Sequence, residues 1–455
     1  MKTHFVALLV LVSISIVHPI RLSAQISPAM DSLLQNKLNS LATANRLKGI
    51  SAAVYIPGKG MWQGVTGVSY GTKKIEPSML FSIGSITKTF VAAEILKLVE
   101  EGKLSLSDTV GQYIPPHQYI KPSITIKQLL SHQAGLGDVT NQAMNDATFA
   151  DLYRRWNAQE VIDSFLTAPV ALPGQSFHYS NAGFILLGII AEQIEQDSLH
   201  KIIRNRFSNP LELNNTYMHM YDPFTYKIPH NWSTPTMDPA LAQDVSGYPH
   251  PALWTTTEAA GGLFSSPVDL TKWAYALYTN QVINASLVSE MTTFKVVSSS
   301  YFNGYGLGCM RFPKSGKTYI GHAGNYFGYA ASMLFHPEDS ICVGMLVNQD
   351  CISPNVAGTL FYTVLQNMTL SISDALKEAS QTIAVYPNPV TEKLYINVPS
   401  GSVFKITLQD LSGRIVLIEK NTEVLDVSML NKGMYIISVE TATGKRIEKK
   451  LVISN

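Results

Sequence analysis

Charge and cysteine are both scarce in this 455-residue chain. Charged residues make up 15% and the formal net charge is +1, so no surface of one sign is offered to a nucleic acid. Three cysteines, Cys309, Cys342 and Cys351, are odd in number and lack a framework spacing, which argues against a disulfide scaffold. Cys309 and Cys342 fall in strand-like runs and read as small buried hydrophobes. No H-E-x-x-H and no clustered His/Cys spacing occurs, so neither a metal site nor a cofactor is expected. Beyond the N-terminus no apolar run is long enough to cross a bilayer.

What is present begins with an export signal over residues 1–24. Lys2 and His4 form a basic start, Phe5–Val17 an apolar core, and Leu22-Ser23-Ala24 ends it before Gln25. A retained anchor is the alternative, but the apolar run is short for a span. Helical spacing marks Gln25–Asn45, with Met30, Leu33, Leu34, Leu38 and Leu41 on one face, and Gly49–Tyr55 and Met61–Gly67 read as a hairpin around Pro57-Gly58-Lys59-Gly60. Further helices are expected at Ile124–Ser131, Ala158–Leu166, Ala182–Ile194, Pro267–Tyr278 and Val356–Met368. Residues 207–258 read as long loops over a pocket. Gly304–Met310, Thr318–Gly321, Tyr329–Phe335 and Ile341–Asn348 read as strands of an antiparallel sheet.

The chain is organised around Phe81–Glu100, FSIGSITKTFVAAEILKLVE, which reads as a buried helix with Gly84 and Ser85 at its entry. Ser85 and Lys88, three apart, share a face at its start. A serine hydroxyl is a poor nucleophile near neutral pH unless a neighbouring amine takes its proton, and a helix N-terminus adds a positive field. S-x-x-K also occurs at Ser198 and Ser402, in surface-like settings, so the pattern alone is cheap. Tyr179 and Asn181 follow a Pro173-Gly174 turn and precede a long apolar helix. By themselves they read as a half-buried tyrosine and a capping asparagine. Gly321-His322-Ala323-Gly324-Asn325 lies between two expected strands. Small residues there let a substrate backbone approach, and exposed N–H groups can donate to an oxyanion. Taken alone, His322 reads as a surface or supporting histidine.

In order along the chain, FSIGSITKTF, LLSHQAGL, PGQSFHYSNAGFILLG, AAGGLFSSPVDL and GHAGNYFGYAA resemble the serine β-lactamase-related family of class C β-lactamases, D-alanyl-D-alanine carboxypeptidases, D-aminopeptidases and β-lactamase-fold esterases. The resemblance spans roughly Ala29–Met368. It implies an α/β (α+β) fold, an antiparallel sheet flanked by helices with an all-helical region and the site between them. It implies Ser85 as the acylated nucleophile, Lys88 beside it, and Tyr179 as general base that later returns the proton. Asn181 then binds a substrate amide or orients Lys88, and the N–H groups of Ser85 and Asn325 form the oxyanion hole. His322 and Gly324 stand where β-lactamases and penicillin-binding enzymes carry Lys-Thr-Gly. A histidine supplies that lysine's positive charge only in part. An exported acyl-serine hydrolase of esters or of amide and D-amino-acid peptide bonds is therefore expected. The alternatives are a catalytically silent penicillin sensor using the same pocket, or a true β-lactamase.

After a polar linker at 371–382 the texture changes. Residues 383–455 carry short β-rich runs between Gly, Ser and Asn turns, an all-β, immunoglobulin-like sandwich pattern. Val385-Tyr386-Pro387-Asn388-Pro389, Asp410-Leu411-Ser412-Gly413-Arg414 and Lys432-Gly433-Met434-Tyr435 resemble the C-terminal sorting domain of the Bacteroidetes type IX secretion system. That implies the secretion machinery as a partner and a secreted or cell-surface destination by way of the periplasm. A carbohydrate-binding module is the alternative, but no exposed aromatic platform is evident in the sequence. The expected hydrolase unit spans 25–370.

Overall fold

The computed structural model describes residues 26–223, 226–234, 238–314, 316–350, 356–360, 363–364, 366, 384–397, 404–441 and 446–454. The expected signal at 1–24, the linker at 371–382 and Cys351 lie outside them. So does part of the expected closing helix Val356–Met368, of which 357–360 are helical. The chain divides into two compact units, Met1–Val364 and Leu365–Asn455.

In the first unit a nine-stranded antiparallel sheet runs in the order Lys73–Lys74, Gly60–Tyr70, Gly49–Ile56, Cys342–Val347, Tyr329–Phe335, Lys317–Tyr326, Met310–Lys314, Gly304–Tyr305, Lys295–Val296. The N-terminal hairpin joins the late strands through Gly49–Ile56, which pairs Ile50 with Val347 and Tyr55 with Cys342. Gly49–Ile56, Tyr329–Phe335 and Cys342–Val347 are buried at every position, so both faces of the sheet are covered there. The first helix, Pro28–Ala44, starts at the Ser27 cap and buries Met30, Leu34, Leu38 and Leu41, whereas Leu33, expected on the same face, is exposed. Trp62 Nε1–H donates to Asp31 Oδ1 at 3.0 Å and ties that helix to the sheet. Pro267–Tyr278 packs on the strands Cys342–Val347 and Gly49–Ile56. Among the described residues no helix is long and apolar enough to cross a membrane.

Three expectations need correction. The central α-helix does not begin at Gly84 and Ser85. Phe81–Ser82 is a strand paired with Leu263–Ser265, Gly84–Ile86 is a 3-10 turn, and the α-helix begins only at Thr87. The break falls at Gly84, whose φ of +46° lies in the region that favours glycine. His322, Ala323, Gly324 and Asn325 do not lie between strands, because one strand runs unbroken from Lys317 to Tyr326. The expected strand Gly304–Met310 is two, Gly304–Tyr305 and Met310–Lys314, separated around Gly308 at φ +74°. Cys309 and Cys342 are buried free thiols, as their apolar surroundings suggested.

The central helix Thr87–Glu100 is fixed from the side by Trp273. Its indole stacks on Phe90 at 4.0 Å, and its Nε1–H donates to Thr89 Oγ1 at 2.8 Å.

The second unit is all β. Its two antiparallel sheets are ordered Ala384–Tyr386, Lys393–Asn397, Val424–Asp426 and Ile415–Lys420, Phe404–Asp410, Gly433–Thr441, Arg446–Ile453. Alternate residues Phe404, Ile406, Leu408 and Tyr435, Ile437, Val439 enter one core. The Asp410–Arg414 landmark is a turn in which Asp410 Oδ1 accepts from the Ser412 and Arg414 N–H groups, with Gly413 at φ +84°. An aromatic pair not evident in the sequence is present. Tyr386 and Tyr395 are cross-strand partners, stacked at 5.9 Å and about half exposed.

Gly344 is where Pro267–Tyr278 comes closest to the sheet, and a Cβ there would lie 2.6 Å from the Pro267 carbonyl oxygen. Backbone cannot yield as a side chain can. Gly344→Ala is expected to cost about 1–3 kcal/mol, read as a lowered urea midpoint with an unchanged m-value.

Candidate active site

Ser85 sits in the 3-10 turn, and Lys88 lies in the first turn of the helix that follows. Residues three apart are eclipsed in 3-10 geometry, so the shared face expected of an α-helix survives the change. The Lys88 side chain is fully buried. Its Nζ lies 3.1 Å from Ser85 Oγ, 2.8 Å from Asn181 Oδ1 and 2.7 Å from the Ala260 carbonyl oxygen. Burial pushes its pKa down to about 7, with Asp138 opposing the fall.

Asn181 opens the helix Asn181–Glu195, and its orientation is set by Asp138. Asp138 Oδ1 accepts from the Asn181 N–H at 2.8 Å and the Ala182 N–H at 3.3 Å, so a carboxylate distant in sequence caps the helix. Asn181 Nδ2 donates to Asp138 Oδ2 at 3.1 Å, which leaves Oδ1 for Lys88. The Tyr179 phenol lies near enough to Ser85 to feel its hydroxyl, and its ring centroid lies 5.1 Å from Lys88 Nζ. Burial raises the Tyr179 pKa, with Ser85 opposing and Asp138 adding, so the phenol stays protonated at neutral pH.

On the other side of Ser85, the strand Lys317–Tyr326 passes backbone to backbone. A Cβ on Gly324 would lie 1.9 Å from the Ile83 carbonyl oxygen and 2.9 Å from Ser85 N. A Cβ on Gly84 would lie 2.9 Å from Asn325 N. Only glycine fits at either place, and the closeness brings the amide nitrogens of Ser85 and Asn325 onto adjoining segments.

His322 is not on the surface, because its ring is completely buried. Its bonds belong to a directed chain. The Ser180 N–H donates to His132 Nδ1 at 3.2 Å, so His132 carries its proton on Nε2. That Nε2 lies 3.1 Å from Tyr305 Oη, and Tyr305 Oη lies 3.0 Å from His322 Nε2. His322 Nδ1 lies 2.6 Å from the Ala323 carbonyl oxygen, which can only accept. The directions therefore run from His132 through the Tyr305 hydroxyl to His322, and His322 is the Nδ1–H tautomer. Burial, and then the Lys88 charge, hold both rings well below the usual histidine pKa, His322 at about 3. The His132 ring also packs on Tyr179 at 4.1 Å.

All seven residues singled out from the sequence thus fall in one place. Ser85, Lys88 and Asn181 are joined by hydrogen bonds, Tyr179 lies beside Ser85, Gly324 and Asn325 lie against the Ser85 turn, and His322 is held behind the strand. The sequence reading missed Asp138, His132, Tyr305 and the Ala260 carbonyl. His132 stood inside the quoted LLSHQAGL stretch, which was the available signal. Among the described residues there is no group of three or more His, Cys, Asp or Glu able to hold a metal ion.

The beta-lactamase family model matches residues 29–358. The chain belongs to the beta-lactamase family. Residues 384–454 match the secretion system C-terminal sorting domain, which implies export. Protein flp of Staphylococcus aureus is 26% identical over 351 residues, 72% of this chain, and the match spans 64% of that relative's length. Among solved structures, a D-stereospecific amidohydrolase from Streptomyces sp. is 26% identical with a TM-score of 0.60, covering 70% of this chain and 95% of that one. The D-amino acid amidase of Ochrobactrum anthropi SV3 is 22% identical with a TM-score of 0.67, covering 75% and 99%, and shares the fold.

The hydrogen-bond chain is testable directly. Nitrogen NMR of histidine-labelled protein is expected to show His132 as Nε2–H and His322 as Nδ1–H, both neutral from pH 5 to 8. A cationic ring at either position in that window contradicts the bond directions. Tyr305→Phe leaves the Nε2 of both rings without a partner and is expected to lower stability by about 1–3 kcal/mol.

Proposed function

We propose that the chain is an exported serine hydrolase that acts through an acyl-enzyme on esters and on amides of D-amino acids. The carrying observation is Ser85 Oγ held between Lys88 Nζ and Tyr179, with the Ser85 and Asn325 backbone nitrogens on adjoining segments beside it. Similarity to the Streptomyces D-stereospecific amidohydrolase supports the D-amide side of this reading.

Electrostatics favour Lys88 as the proton acceptor. In its neutral form two N–H groups donate to Asn181 Oδ1 and the Ala260 carbonyl oxygen, and the lone pair is left for the Ser85 hydroxyl. As Oγ bonds to the substrate carbonyl carbon, the serine proton moves to Lys88 Nζ, and the carbonyl oxygen becomes an anion facing the Ser85 and Asn325 N–H groups. Tyr179, protonated and beside Ser85, gives its proton to the leaving group as the tetrahedral carbon collapses, and regains one from the Lys88 ammonium. Water then replaces the leaving group and the same steps run in reverse.

His322 argues about substrate. It occupies the place of a lysine, yet it is neutral and both nitrogens are engaged. It offers no charge to a substrate carboxylate, which favours neutral esters and amides over β-lactams and free C-terminal peptides.

A fluorophosphonate probe is expected to add its mass to Ser85, and Ser85→Ala is expected to abolish both labelling and turnover of p-nitrophenyl esters and D-phenylalaninamide. Retained turnover in that variant removes Ser85 from its role. Stable acylation by the esters without release points to a sensor instead.

Activity should also report Lys88. The active form is the neutral amine, whose fraction grows with pH, so kcat/KM is expected to rise through about pH 7 and then level. Asp138 favours the ammonium, so Asp138→Asn is expected to move that limb to lower pH while reducing the plateau. A limb that stays in place shows that another group is titrating.

A further inference from the structure

Asp350 takes no part in the chemistry above, yet it is bonded to the residue that carries one of the oxyanion donors. It lies just beyond the strand Cys342–Val347. Its carbonyl oxygen accepts from Asn325 Nδ2–H. Carboxylate Oδ1 accepts from the Thr234 N–H at 2.8 Å. Carboxylate Oδ2 accepts from the Ser233 hydroxyl at 2.8 Å and from the Gly328 N–H at 3.2 Å.

The sheet does not use the Asn325 N–H. Tyr326 pairs with Tyr329, so Phe327-Gly328 is a two-residue loop, and the residues flanking such a loop exchange both ladder bonds. Asn325, opposite Ala330, then falls in the alternate kind of pair, and its N–H points away from the strand Tyr329–Phe335. On the other edge, pairing with the strand Met310–Lys314 reaches only as far as Gly321. The Asn325 nitrogen meets the Ser85 turn instead, 2.9 Å from where a Cβ on Gly84 would lie. Its direction therefore depends on the hairpin end beside it.

That end is strained. Phe327 has φ +40° and Gly328 φ +80°, the pattern of a type I′ turn, whose first position suits asparagine or glycine. A phenylalanine in the left-handed region persists only where its surroundings impose it. Two bonds do so. Asn231 Nδ2–H donates to the Phe327 carbonyl oxygen at 2.7 Å, and the Gly328 N–H is the one taken by Asp350. The segment carrying Asn231 lies against the loop, since a Cβ on Gly328 would come 2.8 Å from the Trp232 nitrogen. Asp350 holds that segment as well, through Ser233 and Thr234, so one carboxylate joins both halves of the clamp.

We propose that Asp350 is a positioning residue for the oxyanion site. Its carboxylate keeps the Phe327-Gly328 loop in its strained form, its carbonyl holds the Asn325 side chain, and together they aim the Asn325 N–H at the substrate oxygen. This rests on the serine hydrolase reading. A fixed donor placed for the tetrahedral oxyanion acts less on the ground-state carbonyl, so loss of Asp350 falls on kcat rather than on KM.

The test uses the full chain. Asp350→Ala is expected to lower kcat for p-nitrophenyl acetate by roughly tenfold to hundredfold, with KM within about twofold. Inhibition by phenylboronic acid, whose Ser85 adduct places an oxygen where the oxyanion forms, is expected to weaken by about tenfold. Asp350→Asn keeps one of the two acceptor oxygens and is expected to fall between. Adding Phe327→Asn, which suits the turn, to Asp350→Ala is expected to recover part of kcat. In a Ser85→Ala chain, adding Asp350→Ala is expected to leave the calorimetric affinity for D-phenylalaninamide unchanged and to shift the Asn325 amide resonance.

Unchanged kcat and boronate inhibition in Asp350→Ala overturn the proposal, and a thermal midpoint that falls alone marks Asp350 as packing only. A loss of ground-state affinity equal to the loss in kcat/KM overturns it in favour of a substrate contact. Should Asp350→Ala fail to fold, Asp350→Asn decides by the same readings. If no ester is turned over and Ser85 is not labelled, the hydrolase reading fails. An Asn325 resonance that does not move sinks the positioning role whether or not turnover is seen.

Discussion

A lysine amine with no exposure to solvent governs the first unit. Removing an ammonium from water costs several kcal/mol even after local relaxation. Lys88 meets that cost with three acceptors from three parts of the chain: Ser85 Oγ, Asn181 Oδ1 and the Ala260 carbonyl oxygen. Each acceptor must itself be held. Asn181 is held by Asp138, Ala260 by the short helix Glu258–Gly261, and Ser85 by a turn that only Gly84 allows. The pocket is deep enough that the neutral amine becomes accessible near pH 7. The burial that these acceptors make tolerable also lowers the amine's pKa.

The rest of the site follows from how closely backbone approaches backbone on the far side of Ser85. Gly324 and Gly84 remove the side chains that would separate the strand from the turn. The strand's position along its length is then fixed by the His132–Tyr305–His322 chain, anchored at Ser180 N–H and at the Ala323 carbonyl oxygen. That chain joins the loop carrying Tyr179 to the strand carrying Asn325. The two segments are thus tied through neutral hydrogen bonds, which survive changes of salt that would screen an exposed ion pair.

How much of this was legible in the sequence depended on distance along the chain. Helices with strong apolar periodicity, such as Pro28–Ala44 and Pro267–Tyr278, were readable within a few residues, because one face of each is buried in one layer. The alternation of Phe404, Ile406 and Leu408 gave away the β unit for a similar reason. Ser85 and Lys88 were readable because three residues is a local spacing. Asp138 was not, since it acts on Asn181 across 43 residues, and a capping carboxylate that far away leaves no pattern near the helix it caps. Nor was Tyr305, whose hydroxyl meets His132 across 173 residues. Gly84 and Ser85 were read as the helix entry, and the 3-10 turn there was missed because a helix-favouring run follows at once. The deciding contact, with Asn325, comes from the other end of the unit.

The histidine in place of a lysine is part of a consistent alternative rather than a weakened version of the same site. The Tyr305 hydroxyl donates to position 322 and therefore needs an acceptor there, which the His322 Nε2 lone pair supplies. An ammonium has three donors and no lone pair to offer. A lysine at that position would leave the Tyr305 proton without a partner in a buried setting. It would also set a second cation near Lys88, since His322 is close enough to feel the Lys88 charge. Two buried cations would each lower the other's pKa. The neutral ring avoids both conflicts. It keeps the tyrosine hydroxyl satisfied and leaves Lys88 as the cation between the serine and the asparagine.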